Sequence, residues 1–414
     1  MNFVKQARCT LCNLTFSVDA NITTCSNCGE KGVLDIEYDY EKMKDVVTLD
    51  YFKATKLKTM WRYKPLMSVD SNYDAETLPI GGTPLIRSKR LAQRLGLSTF
   101  YIKDEGMNPT GSLKDRASAV AVVKALEASQ STVACSSTGN AASSLAGNAA
   151  HVGLTARIFV PKRAPIGKLR QLSIYGANVY SVQGDYKSAF KLSKAAINEY
   201  GWYNRNAAIN PHLVEGKKTV AYEIAEELGF NAPDWVVVSV GDGCTIAGVY
   251  KGFYDLYKLN LISTMPKLLG VQSEGCAPFV EADQNQRELT ETDELTIADS
   301  IAVGIPRNPV KAIRAVKESL GAWISVPDQA ILDSMKWLGK LEGIFAEPAS
   351  AAGLAGLIKA LNNNIISASE SVVLIHTGNG LKDPVNAERV IDEPHKVSDD
   401  LNIFKKLINK ENKT

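Results

Sequence analysis

A lysine behind a turn is the first residue of this sequence that could do covalent chemistry. Lys114 follows the segment Asn-Pro-Thr-Gly-Ser-Leu at positions 108–113, which itself follows a strand-like run at 100–105. Because proline and glycine make a turn there, we expect Lys114 at a strand-to-helix transition beside a cleft. An amine in such a place loses solvent and its pKa falls, as a Schiff-base lysine requires. Taken alone, a surface charge is the commoner explanation.

Three further loops carry glycine together with hydroxyl or amide side chains, and each follows a predicted strand. Their candidate ligand-binding residues are Ser137, Thr138, Asn140, Gly241, Asp242, Gly243, Cys244, Thr245 and Thr377. Loops of this kind at a helix start favour anions, because backbone N–H groups and the helix dipole point at the ligand. Taken alone, each loop is better explained as a capped helix start or a glycine turn. The glycine pair matches neither the Walker pattern nor GxGxxG, which argues against nucleotide binding.

Four cysteines near the N-terminus form two regularly spaced pairs, Cys9-x-x-Cys12 and Cys25-x-x-Cys28. Two such pairs place four thiolates around one tetrahedral ion, so the spacing predicts a zinc ribbon. Four protein ligands leave no open position, and we therefore expect the zinc to be structural and not catalytic. A ribbon that holds no metal is the alternative.

Short apolar runs alternate with helical segments from about residue 80 onward. The predicted strands lie at 100–105, 132–137, 155–161, 177–182, 235–240, 267–272 and 372–378. Continuous apolar strands separated by helices are typical of parallel sheets that are covered on both faces. The pattern predicts an α/β fold, in which ligands bind beyond the carboxyl ends of the strands.

The composition limits the classes of partner. The 414 residues are 45% hydrophobic and 22% charged, enough for a sizeable core in two or three domains. Lys plus Arg number 47 against 45 Asp plus Glu, which gives no electrostatic footprint for nucleic acid or an anionic membrane. We see neither a signal peptide nor an apolar stretch of membrane-spanning length, so we expect a cytoplasmic protein with small-molecule partners.

The string KDEGMNPTGSLKDR at 103–116 resembles the cofactor-lysine motif of threonine synthase and its relatives, the fold-type II pyridoxal-phosphate (PLP) enzymes. Two more strings, at 210–219 and 343–351, are similar to those of the same family, so the resemblance runs from about 81 to 383. It implies two α/β domains with parallel or mixed sheets behind a small N-terminal zinc ribbon. Some threonine synthase relatives carry such a ribbon.

The resemblance also implies a role for each loop. Lys114 would form the Schiff base with PLP, and Ser137 and Thr138 would receive the substrate α-carboxylate. Asn140 would lie against the ring hydroxyl, and the hydroxyl of Thr377 would bond the pyridine nitrogen. The PLP phosphate would lie in the loop formed by Gly241, Asp242, Gly243, Cys244 and Thr245. Because a hydroxyl does not keep that nitrogen protonated, the ring is a weaker electron sink, which favours elimination and replacement over transamination.

We divide the chain on this basis. Residues 1–38 form the ribbon, 39–110 together with 206–400 form the large PLP domain, 111–205 form the small domain, and 401–414 form a solvated tail. Relatives of this fold type are commonly dimers, so we expect a homodimer.

The reaction that the resemblance implies is the conversion of O-phosphohomoserine and water to threonine and phosphate. Leu213 departs from the family, however, because many threonine synthases have there an arginine that grips the substrate phosphate, and Ala207 replaces a nearby asparagine. Either His212, Lys217 or Arg307 substitutes, or the substrate lacks this phosphate. The alternative is β-elimination or β-replacement on a serine- or phosphoserine-type amino acid, as in dehydratases or cysteate synthase-like relatives. A non-catalytic zinc-ribbon protein is the remote alternative.

Overall fold

Three β-sheets flanked by helices make up the protein. The computed structural model describes residues 3–70, 76–162, 166–184 and 186–411. One sheet has three strands, the second has six and the third has four. The prediction of an α/β fold is confirmed. Within the described ranges, no helix has the length and apolar character that a membrane crossing requires.

The N-terminal sheet is antiparallel and consists of β1 (Val4–Cys9), β2 (Thr15–Phe16) and β3 (Leu34–Tyr38). Its inward side chains, Ala7 and Leu34, pack with the cysteines in a small core of their own. We call residues 3–38 the ribbon.

The remaining elements follow in chain order. They are α1 (Tyr40–Lys44), α2 (Leu49–Ala54), β4 (Leu85–Arg87), α3 (Arg90–Leu95), β5 (Thr99–Asp104), α4 (Lys114–Glu127), β6 (Thr132–Ser136), α5 (Asn140–His151), β7 (Thr155–Pro161), α6 (Ile166–Ile174), β8 (Asn178–Val182), α7 (Tyr186–Tyr200), β9 (Tyr203–Asn204), α8 (His212–Lys217), α9 (Thr219–Glu227), β10 (Trp235–Ser239), α10 (Cys244–Lys258), β11 (Lys267–Ser273), α11 (Pro278–Gln284), α12 (Pro309–Glu318), β12 (Ala322–Val326), α13 (Asp328–Trp337), α14 (Pro348–Asn362), β13 (Ser371–His376), α15 (Pro384–Glu388) and α16 (Leu401–Glu411). The exposed α16 lies within the tail at 401–414. The strand order is β2-β1-β3 in the N-terminal sheet, β12-β11-β10-β13-β5-β4 in the six-stranded sheet and β8-β7-β6-β9 in the four-stranded sheet.

The six-stranded sheet is parallel except for its edge strand β4, which pairs antiparallel with β5. Apolar cores cover both of its faces, as continuous apolar strands predict. Since β5, β13 and β10 are parallel neighbours, their carboxyl ends meet at one edge. The loops that begin after Asp104, His376 and Ser239 therefore emerge side by side.

The four-stranded sheet is parallel throughout and spans 132–204. Its core includes Leu145 and Ile158, and α4 and α5 pack against each other beside it. The loop after β6 leads directly into α5, so the residues at 137–140 lie at the carboxyl edge of this second sheet.

The start of α4 is fixed by a turn and by a strand-like pairing. Gly111, with φ +82°, donates its N–H to the carbonyl of Asn108 at 2.8 Å, and the Asp115 carboxylate accepts from the Thr110 N–H at 2.7 Å. Leu113 then donates its N–H to the carbonyl of Thr377 at 2.9 Å. This last bond joins the lysine-bearing turn to the loop after β13, across more than 260 residues of sequence.

A buried ion network holds the first turn of α4 against the sheet. The Arg116 guanidinium is fully buried and contacts Glu105 at 2.6 Å and Glu223 at 2.7 Å. Lys103 of β5 adds a second cation, 2.9 Å from Glu223. Each charge in the network has a partner of opposite sign, which is the condition under which buried charges are tolerated.

The ribbon is attached to the rest of the protein through α8. The His212 ring lies between the Asp19 carbonyl at 2.8 Å and the Ser68 hydroxyl at 2.7 Å, and the Tyr38 hydroxyl donates to Glu215 at 2.5 Å. Burial lowers the pKa of His212 to about 4, so the ring is neutral at pH 7. A neutral ring donates from Nε2 to the carbonyl and accepts from Ser68 at Nδ1.

We predict that His212 makes ribbon docking acid-sensitive. Its folded pKa lies below its unfolded value near 6.5, so the unfolded state binds a proton first. Stability is therefore lost as the pH falls from about 6.5 to about 4, by up to about 3 kcal/mol. Urea unfolding of His212→Gln, whose amide keeps both hydrogen bonds, should show a smaller loss over this range than wild type. The exposed His151→Gln serves as the control, and an equal loss in all three proteins would contradict the prediction.

Candidate active site

Lys114 is the first residue of α4 and lies half-buried at the edge where β5 and β13 end. Among the described residues, its amine makes no hydrogen bond or ion pair. Burial lowers the pKa of Lys114, and the nearby Arg205 guanidinium lowers it further, while the Glu347 carboxylate raises it. The net result is a lysine below its ordinary pKa, which is the form that acts as nucleophile and base.

The loop after β13 runs directly beside this lysine. Ser112 and Gly378 form an antiparallel bridge, and the Thr377 N–H donates to the Ser350 hydroxyl at 2.8 Å. The Thr377 hydroxyl itself bonds no residue in the described part of the chain. Underneath, the buried His376 ring is 2.6 Å from the Asp104 carboxylate of the neighbouring strand. Backbone hydrogen bonds and strand pairing thus hold the Thr377 hydroxyl next to Lys114, and this hydroxyl has no partner among the described residues.

The start of α5 reaches the same place from the small sheet. The Asn140 amide donates to the Glu347 carboxylate at 2.6 Å, and a Cβ added to Gly378 would lie 3.2 Å from that amide. Asn140 therefore lies against the Thr377 loop. Ser137 accepts a hydrogen bond from the N–H of Gly139, which caps α5 by its backbone alone. Thr138, between these residues, is half-buried.

The loop at Gly241–Thr245 leads from β10 into α10. Gly243 has φ +83°, and a Cβ there would lie 2.7 Å from Ala312 and 2.9 Å from the Asn308 carbonyl, so only glycine fits. The Asp242 carboxylate accepts the Arg307 N–H at 3.2 Å and shapes the loop. No side chain caps α10, so its first N–H groups, including those of Cys244 and Thr245, are left for an anion.

Several residues that the sequence did not single out, or could not place, belong to this region. Glu347 bridges Asn140 and the Thr377 loop, and Arg205 lies close enough to Lys114 to lower its pKa. Glu347 falls within the family-like string at 343–351, which was the available signal. Arg205 had no such signal.

His212, Lys217 and Arg307, the possible substitutes for the missing arginine, lie in different surroundings. Leu213 is fully buried in the core of the four-stranded sheet, with Ala207 packed against it. His212 is neutral and faces the ribbon, so it does not replace the arginine as a cation. Arg307 stacks over the Phe190 ring at 4.2 Å. Burial lowers the pKa of Lys217 to about 8, and the charge of the neighbouring Lys114 contributes to this shift.

The four ribbon cysteines come together as one cluster. The ligand atoms of Cys9, Cys12, Cys25 and Cys28 all lie within 4.8 Å of one another, and the sulfurs of Cys12 and Cys25 are 3.6 Å apart. Sulfurs around a tetrahedral zinc, each about 2.3 Å from the ion, lie about 3.8 Å apart. A Cβ on Gly32 would lie 2.6 Å from that of Cys25, so a glycine is needed for the pairs to close. This donor set fits zinc.

The residues beside Lys114 likewise fit PLP. The Lys114 amine and the Thr377 hydroxyl, neither of which has a partner among the described residues, lie close together. The neighbouring strand β10 leads into a tight glycine loop and the uncapped start of α10. These are a carbonyl-reactive group, a ring-bonding group and a phosphate-binding group in one cleft.

Comparison with known proteins supports this interpretation. The profile of the family described as "Pyridoxal-phosphate dependent enzyme" matches residues 76–378. Threonine synthase of Methanocaldococcus jannaschii is 40% identical over 404 residues, which cover 97% of this chain and 98% of the relative. Threonine synthase of Mycobacterium tuberculosis is 36% identical over 78% of this chain and 88% of its own.

Solved structures agree at the level of the fold. Diaminopropionate ammonia lyase from Escherichia coli superposes with a TM-score of 0.65 at 19% identity, over 83% of this chain and 92% of that one. Threonine deaminase isoform 2 from Solanum lycopersicum gives 0.64 at 22%, over 74% and 86%. The chain therefore belongs to the family of pyridoxal-phosphate dependent enzymes, has its fold type II, and is a lyase of that family.

Proposed function

We propose that this enzyme acts as a threonine synthase, converting O-phosphohomoserine and water to threonine and phosphate. The observation that carries the proposal is the Lys114 amine, which has no partner among the described residues and lies beside the Thr377 loop, to which the Leu113 N–H bonds. Relatives named threonine synthase that align over nearly the full chain support the choice of reaction.

We assign the cofactor to the residues of these loops. Lys114 would hold PLP covalently, and its phosphate would be held at the start of α10 by Gly241, Asp242, Gly243, Cys244 and Thr245. The Thr377 hydroxyl would serve the ring nitrogen and Asn140 the ring hydroxyl. Asn140 is itself oriented by Glu347 at 2.6 Å, which turns its amide toward the Thr377 loop. Ser137 and Thr138, at the start of α5, bind the substrate α-carboxylate.

The chemistry divides between the cofactor and the lysine. Bound PLP would draw electron density from the α-carbon of the amino acid and so make its hydrogen acidic. Lys114, with its pKa lowered, would take the proton from Cα, move one proton from Cβ to Cγ and finally return a proton to Cα. In the net reaction the Cγ–O bond of the substrate breaks with its electron pair leaving on phosphate. The OH of water bonds Cβ and its other proton goes to phosphate, so that the product is threonine.

Leu213 supports a second candidate, β-elimination or β-replacement on a serine- or phosphoserine-type amino acid. Its side chain is fully buried in an apolar core with Ala207, so this position offers nothing to a phosphate at Cγ. A substrate whose leaving group is on Cβ would place that group nearer to Lys114.

We predict that the purified enzyme releases phosphate from O-phosphohomoserine and forms an equal amount of threonine. Replacing Lys114 by Ala should lower the rate about 100- to 10,000-fold, because the proton-transfer group is lost. The visible absorbance of the lysine-bound cofactor should disappear with it, while the exposed Lys89→Ala leaves rate and absorbance unchanged.

Parallel assays with O-phosphoserine, serine and threonine separate the candidates. Formation of a 2-oxo acid and ammonia from any of these, with no threonine from O-phosphohomoserine, would reject the first candidate in favour of the second.

We also propose that the ribbon binds one structural zinc ion through Cys9, Cys12, Cys25 and Cys28. The cluster geometry and the requirement for glycine at position 32 support this assignment. Zinc here would act on stability alone, because four thiolates complete its coordination.

Cys25→Ser should lower the zinc content from about one ion per chain and reduce the unfolding temperature, since metal binding and folding of such ribbons are coupled. Metal analysis and thermal unfolding measure both. Cys276→Ser, which removes an equally buried cysteine outside the cluster, should keep the zinc. Unchanged zinc in Cys25→Ser would refute the assignment.

The domain boundaries, the homodimer and the cytoplasmic location stay predictions from the sequence. The four-stranded sheet at 132–204 supports a small domain at 111–205, and sedimentation of the holoenzyme would measure its oligomeric state.

A further inference from the structure

Two buried cations lie near Lys114. Arg205 and Lys217 are each 2% exposed, and neither forms an ion pair with any residue that the structure describes. Among the described residues, the Arg205 guanidinium donates to the Ser118 hydroxyl alone, from Nε at 3.1 Å and Nη2 at 3.0 Å. Lys217 forms no hydrogen bond within the described ranges. Since an unpaired charge is unfavourable in a protein interior, such a pair is typical of a binding site for an anion.

Helix geometry places the Arg205 guanidinium beside the reactive lysine. Its partner Ser118 is four residues after Lys114 on α4, and residues four apart lie on the same face of a helix. The third nitrogen, Nη1, has no acceptor in the described part of the chain. The pKa of Lys114 is lowered partly by this guanidinium, as expected of neighbouring cations.

Lys217 approaches the same region from α8. A Cβ added to Gly248 would lie 3.0 Å from the Cβ of Lys217, and Gly248 is one turn after Cys244 on α10. The Lys217 side chain therefore starts beside the first turns of α10. Burial, helped by the charges of Lys114 and Arg205, lowers the pKa of Lys217 to about 8. Lys217 also lies one turn after Leu213, on the same face of α8.

Two other buried lysines of this region already have partners. Lys218 is 2.7 Å from the Asp255 carboxylate and 2.6 Å from that of Glu215. Lys311 donates to the Leu34 carbonyl at 2.8 Å in the ribbon interface. Lys218 and Lys311 therefore have partners, whereas Arg205 and Lys217 have no carboxylate within ion-pair distance among the described residues.

We propose that Arg205 and Lys217 form a subsite for a dianionic phosphate at the far end of the amino-acid substrate. This inference rests on the proposed function and names the residues that take over where Leu213 cannot act. Two cations balance the two negative charges of a phosphate ester, and the planar guanidinium offers paired donors to its oxygens. A neutral serine or threonine hydroxyl would leave both charges uncompensated.

The subsite is distinct from the place assigned to the cofactor phosphate. That phosphate is served by the backbone N–H groups at the start of α10 and by the glycine loop. Arg205 is held beside Lys114 by the Ser118 hydroxyl of α4, whereas Lys217 starts beside the first turns of α10, so the test has to separate substrate binding from cofactor binding.

The test uses the holoenzyme and two amino acids that have no leaving group. In 2-amino-5-phosphonopentanoate a CH2 group replaces the ester oxygen of O-phosphohomoserine, and 2-aminopentanoate lacks the phosphonate. Dissociation constants come from the absorbance change of the bound cofactor. We expect Lys217→Met and Arg205→Met each to weaken phosphonate binding about 10- to 100-fold, the range for a charge-assisted hydrogen bond. Binding of 2-aminopentanoate should change less than about threefold, and Lys217→Arg should keep most of the preference.

A second measurement tests for a purely structural role. Removing an unpaired buried cation in favour of an apolar side chain relieves its desolvation cost, so cofactor-free Lys217→Met should unfold at the same temperature as wild type or higher. A lower unfolding temperature together with equal weakening of both ligands would overturn the subsite in favour of a structural role.

Two other outcomes are decisive. Weaker PLP binding with an unchanged preference for the phosphonate would assign both residues to the cofactor phosphate and overturn the proposal. If wild type binds 2-aminopentanoate as tightly as the phosphonate, the subsite is wrong although the amino-acid chemistry stands. If neither ligand changes the cofactor absorbance of wild type, the proposed function itself fails.

Discussion

The buried Arg116 guanidinium fixes the part of the molecule on which the site depends. It lies two residues after Lys114 and is held by Glu105, at the end of β5, and by Glu223 of α9. These contacts attach the first turn of α4 to the large sheet and to a neighbouring helix at once. Removing one member would leave buried charges unpaired, which costs about 3–5 kcal/mol. Lys114 is therefore presented from a rigid turn, as a reactive amine requires.

The same rule explains why Arg205 and Lys217 stand out. Arg116 and Lys103 are buried as deeply, but each has a carboxylate within 3 Å. The protein thus contains two kinds of buried cation within a short distance. Arg116 and Lys103, which are ion-paired, hold structural elements together. Arg205 and Lys217, which are not, would gain free energy from a ligand that brings negative charge.

Much of the fold was predictable because local patterns and tertiary structure agree. Continuous apolar runs such as 235–240 become strands of a covered parallel sheet, and the turn at 108–113 does begin a helix at Lys114. The cysteine spacing predicted the four-sulfur cluster. The convergence of Thr377 and Lys114 was expected only through the family resemblance, since no local signal links residues so far apart in sequence.

The rest depended on which charges are paired, and a sequence does not contain that information. His212 looked like a possible phosphate ligand, but the ribbon carbonyl of Asp19 and the Ser68 hydroxyl bind it and burial keeps it neutral. Arg205 looked like any basic residue after a short strand. Its importance comes from the lack of a carboxylate within ion-pair distance among the described residues, which depends on every neighbouring element.

Helix α8 connects these observations. Its first residue, His212, bonds the ribbon, and Tyr38 of β3 bonds Glu215 in its middle. A Cβ on Gly216 would lie 2.2 Å from the Arg116 carbonyl, so α8 also packs against α4 at backbone distance. Helix α8, which ends at Lys217, is thus held between the ribbon on one side and the lysine-bearing helix α4 on the other. A zinc-stabilised ribbon would then have a reason to be present in this enzyme, because the helix that it supports carries a proposed substrate ligand.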